Sequence, residues 1–75
     1  MIETPHQIME NSFRIAWDYL QGTGELGEPE AASRFLLDNI VNSMKRGEYR
    51  KLLLSNRAID AYKRWQATPE FALVS

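Results

Sequence analysis

No cysteine occurs in the sequence. A disulfide framework and a thiolate zinc site are therefore excluded. Histidine occurs once, as His6. A metal centre needs three or four fixed ligands, so one here would rest on carboxylates and a single imidazole near the N-terminus. We expect neither a metal nor a cofactor. Long apolar runs are also missing. Stretches such as Leu52-Leu53-Leu54 fall far short of the ~20 residues that span a bilayer, so no membrane partner is expected. The opening Met-Ile-Glu-Thr-Pro-His has neither the basic start nor the apolar run of a secretory signal. With the lack of cysteine, this points to a reducing, cytoplasmic setting.

The chain has 75 residues, which suits a single helical domain over 1–75. A domain this short buries a modest share of its surface, and burial barely exceeds the entropy lost on folding. Such chains are usually stapled by a disulfide, a metal or a partner. With the first two set aside, a partner remains, and a second copy of the chain is the simplest one.

Net charge is −1, unevenly spread. Residues 1–30 carry six carboxylates against Arg14 alone, a net of −5. Residues 31–75 carry eight Lys and Arg against four carboxylates, a net of +4. The two halves could face each other within the fold, draw two copies together, or draw the basic half to an anion.

The apolar pattern is helical throughout. Thr4, Pro5 and Gln7 form an N-terminal signature, with Thr4 as cap and Gln7 completing a capping box. Ile8, Met9, Phe13, Ile15, Ala16, Trp17, Tyr19 and Leu20 follow at helical spacing. Gly22 is the expected stop. Leu26 should pin the glycine-rich loop that follows to the core. A second helix is expected from Pro29, with Glu28 and Glu30 at its positive end and Gly47 as its stop. Its stripe is Ala32, Leu36, Leu37, Ile40, Val41 and Met44. A third helical region runs from about Glu48 to Gln66. There Tyr49, Leu52 and Leu53 fall out of phase with Ala58, Ile59, Ala61, Tyr62 and Trp65. A break at Ser55, acting as a new cap with Leu54 and Ile59 as a hydrophobic staple, resolves the mismatch. The expected fold is therefore all-α: a compact three-helix bundle, its third helix kinked or split near Ser55, ending in a short extended C-terminal tail.

Candidate chemistry is sparse. Gly22, Gly24 and Gly27 spell GxGxxG. They follow a helix rather than a strand, and Glu25, Glu28 and Glu30 would repel a phosphate, so dinucleotide binding is excluded. The same carboxylates lack the spacing of a calcium loop. Ser33, Ser43 and Ser55 could serve as nucleophiles only with a base, and His6 is the sole imidazole. No enzyme is expected.

Two binding readings remain. Apolar residues span about 200° of the first helix, more than one core uses. Phe13 and Trp17 form one side of that surplus. Phe35 lies on the polar side of the second helix, and the tail offers Phe71 and Leu73. Large exposed patches mark partner sites, and aromatic rings anchor them. Phe13, Trp17, Phe35, Phe71 and Leu73 are thus candidate interface residues for a self-associating, non-enzymatic interaction module, most simply a homodimer. The alternative is a nucleic-acid-binding regulator. Lys45, Arg46, Arg50 and Lys51 crowd the Gly47 turn in the outline of a helix-turn-helix. A slightly negative chain argues against it, since nucleic-acid domains are usually strongly basic.

Overall fold

The computed structural model describes residues 3–67. They form α1 (Pro5–Thr23), α2 (Pro29–Lys45) and α3 (Lys51–Ala67). All three pairs of helices pack together, and the fold is an all-α three-helix bundle. The tail, with Phe71 and Leu73, lies outside the described residues.

The helix ends follow local chemistry. Thr4 Oγ1 accepts the Gln7 N–H at 3.2 Å, and Gln7 Oε1 accepts the Thr4 N–H at 3.0 Å. This is the expected capping box. At the other end α1 runs past Gly22. Gly24, not Gly22, takes the left-handed conformation. Its N–H donates to the Gln21 carbonyl, while the Glu25 N–H reaches back to Leu20. These two bonds make a Schellman motif. The same pair of bonds closes α2, from Gly47 to Met44 and from Glu48 to Ser43. Gly47 has a φ of 99° there, a conformation that side chains disfavour. Pro29 opens α2 behind Glu28, whose carboxylate accepts the Glu30 N–H at 3.0 Å.

α3 starts at Lys51 rather than Glu48. Glu48 instead turns its carboxylate onto the Arg50 N–H and guanidinium. The split expected at Ser55 is absent, because α3 is uninterrupted from Lys51 to Ala67. Ser55 is fully buried, and its hydroxyl donates back to the Leu52 carbonyl at 3.0 Å. It is an interior helical residue and not a cap. The phase mismatch has another resolution. The buried row is Leu54, Ala58 and Tyr62, while Leu52 points outward and is 70% exposed.

Each helix contributes one such row at spacing four: Ser12, Ala16 and Leu20 from α1; Ala32, Leu36 and Ile40 from α2; and the α3 row. Leu26 joins them from the loop, as expected. Burying a Leu or Ile stabilises by about 1.5–3 kcal/mol each. Five of the buried residues are Ala or Ser, which lets the helix backbones approach closely. Two ion pairs tie α3 to the flanks of α1. Lys51 Nζ lies 2.9 Å from Glu3, and Lys63 Nζ lies 3.5 Å from Glu25. Lys63 also sits over the Tyr19 ring at 5.2 Å. α1 and α3 therefore run in the same direction. α2 runs opposite to both, since Phe35 near its start meets Trp65 near the end of α3. The acidic first half and the basic second half thus meet within the fold at Glu3–Lys51 and Glu25–Lys63.

Candidate interaction surface

Phe13 and Trp17 sit one helical turn apart on α1, toward α2, and their rings tilt together at a centroid distance of 5.5 Å. Both rest on the core without being covered by it. Met9 from α1 and Ser33 and Leu37 from α2 complete a groove of about 640 Å³ between the two helices. Its outer edge is the row Glu10, Arg14 and Asp18, spaced so that all three share one helix face. Glu10 pairs with His6 at 3.3 Å. Arg14 and Asp18 make no ion pair among the described residues.

Phe35 lies on a different face of α2 from the Phe13–Trp17 groove. Two positions before Leu37 on a helix is about 200° around it, so Phe35 faces α3. Its ring stacks on Trp65 at 4.9 Å and 14°, and meets the Tyr62 ring edge-on at 5.6 Å. Trp65, itself 48% exposed, covers one face of the Phe35 ring. The Tyr62 hydroxyl donates to the Leu26 carbonyl and accepts from Gln66 Nε2 at 2.7 Å. Gly27 lies against this network. A Cβ there would fall 2.5 Å from Gln66 Nε2 and 3.2 Å from the Tyr62 hydroxyl. The Tyr62–Leu26 bond joins residues 36 apart in sequence, and no local pattern announces it.

The basic turn is partly neutralised. Arg50 makes a two-pronged bond to Glu48 at 2.9 and 3.0 Å. The Arg50 side chain, then its N–H, hold the Glu48 carboxyl down to about 2. Lys51 is paired with Glu3, whose carboxyl it holds below its ordinary value. Lys45 and Arg46 remain exposed, without ion pairs among the described residues. Beside this turn, Tyr49 and Leu52 are 48% and 70% exposed. That apolar knob went unnoticed in the sequence, where Leu52 reads as one more core leucine.

Among the described residues, no three His, Asp or Glu side chains gather as metal ligands. Among the described residues, no helix is long and apolar enough to cross a membrane. The hydroxyls of Ser33 and Ser55 are spent on backbone carbonyls. Comparison with known proteins finds no matching family model, no similar curated protein and no similar solved structure.

Proposed function

We propose that this three-helix bundle is a non-enzymatic protein-interaction module that pairs with a second copy of itself through the α1/α2 groove. The observation that carries this reading is the Phe13–Trp17 pair. Two large rings lie side by side in an open groove, bordered by charges that the chain itself leaves largely unanswered. Aromatic rings in a concave apolar setting are the usual anchors of protein interfaces. Symmetric pairing lets one such patch cover its own copy. A bundle this small also gains stability from association, because only the folded chain binds.

Nucleic-acid binding at Lys45, Arg46, Arg50 and Lys51 has weaker support. Two of the four cations are already held by carboxylates, and phosphate binding draws its strength from unneutralised Lys and Arg.

Sedimentation equilibrium from micromolar to millimolar chain is the direct test. A mass rising to twice the monomer is expected, and Trp17→Glu should lower it while keeping the helical circular dichroism. A monomer mass over the whole range would overturn the reading.

A further inference from the structure

We infer that the second copy lies antiparallel on the first, α1 against α1, with Arg14 of each chain meeting Glu10 of the other. The inference rests on the self-pairing proposed above and adds its geometry. It starts from the row Glu10, Arg14 and Asp18, whose signs alternate one helical turn apart along the groove edge. Such a row has only a few ways to face its own copy. In a parallel pair like meets like at every position, and all three contacts repel. In an antiparallel pair centred on Arg14, the two guanidinium groups oppose each other. Moving the two-fold axis half a turn, to the level of Ser12, sets Arg14 opposite the partner's Glu10 twice over. The same shift places Asp18 level with the partner's His6, at the far end of the row. Arg–carboxylate pairs of this kind select orientation and register more than they add affinity.

The rest of the molecule agrees with that orientation. α2 begins with Glu28 and Glu30 and ends with Lys45 and Arg46. None of these four forms an ion pair among the described residues. Because α2 is antiparallel to α1, reversing one copy brings the acidic end of each α2 to the level of the basic end of the other. A parallel pair would set acid beside acid and base beside base. The local row and the long-range charge distribution therefore favour the same arrangement, and the Met9, Phe13, Trp17 and Leu37 surfaces overlap in it.

The test uses charge inversion and reads mass and exchange by sedimentation at low salt, with circular dichroism as the check on folding. Arg14→Glu makes the row wholly acidic, and the double variant Glu10→Lys, Asp18→Lys makes it wholly basic. Each alone should dimerise at least tenfold more weakly than the wild type, and an equimolar mixture should form the heterodimer. The triple variant Glu10→Lys, Arg14→Glu, Asp18→Lys should dimerise like the wild type yet fail to exchange with it. In a parallel pair the triple variant would instead prefer the wild type, and that result overturns the orientation. A wild-type dimer that Arg14→Glu leaves unchanged overturns the charge register while leaving self-pairing intact. A wild type that is monomeric at all concentrations removes the self-pairing reading itself.

Discussion

The two sides of α2 carry similar aromatic material and treat it differently. Toward α3, Phe35, Tyr62 and Trp65 pack as a triad in which each ring touches the other two, and Tyr62 is bonded onward to the loop. Toward α1, Phe13 and Trp17 lean on each other at the wall of an open groove. The difference lies in what faces each pair. On the α3 side a third helix supplies a ring of matching size. On the groove side α2 offers Ser33 and Leu37, too little bulk to cover an indole. On one side the rings are packed by a third helix, although Trp65 itself stays 48% exposed, and on the other they lie along a groove that α2 does not fill.

If that contrast is right, Phe35→Ala should destabilise the monomer itself. The ring is half-buried, so about 2–3 kcal/mol is expected, below the ~3–5 kcal/mol of a fully buried aromatic. Urea melts should show the same loss at every protein concentration. A loss that grows on dilution would move Phe35 to the associating surface and break the comparison.

Tyr62→Phe keeps the ring stack but removes the hydroxyl that serves the Leu26 carbonyl. Leaving a buried acceptor unpaired costs about 1–3 kcal/mol. Hydrogen exchange should report the loss at the loop between α1 and α2. If stability is unchanged, the closed side is held by ring packing alone.

A third expectation concerns acid. The Glu48 carboxyl is lowered from its ordinary 4.5 to about 2, first by the Arg50 side chain and then by its N–H. A lowered carboxylate stabilises the fold at pH values above the unfolded value. Its contribution should therefore fade as pH drops from about 4.5 toward 2. Glu48→Gln should flatten the pH dependence of melting in that window and leave the groove's association unchanged. An identical acid profile in the variant would show that the turn draws no stability from this pair.

The smallest effect belongs to Ser55→Ala. The hydroxyl bonds only within its own helix, and alanine is the better helix former. A change within about 0.5 kcal/mol is expected. A loss near 2 kcal/mol in chemical denaturation would instead match a capping role.

Much of the architecture was legible in the residues. Thr4, Pro5 and Gln7 specify a helix start through bonds spanning three residues, and Gly47 specifies a stop in the same local way. The buried row of α2 follows a period that the sequence displays openly, and so does that of α1 apart from Ser12, a buried hydroxyl that no apolar pattern marks. α3 misled because its buried row includes small and polar members, Ser55 and Ala58, while the bulkier Leu52 faces outward. Hydropathy ranks residues by size and polarity. Close helix packing selects the small ones, so the phase was read from the wrong residues.

The candidate surface divides along the same line. Phe13 and Trp17, with Arg14 and its flanking carboxylates, are neighbours on one helix, and spacing alone places them together. That Phe35 is not part of their patch was decided by tertiary structure. It depends on which helix packs on which side of α2, and the sequence carries no local mark of handedness in a three-helix bundle. The pairing of Tyr62 with Leu26, and of Lys51 with Glu3, likewise waits on chain segments brought together from opposite ends. Local hydrogen bonding and periodicity are properties of adjacent residues, so the sequence by itself determined that there are three helices and how α1 and α2 begin. Which surfaces were closed and which left open depended on how the three helices share one core, and only the folded chain decides that.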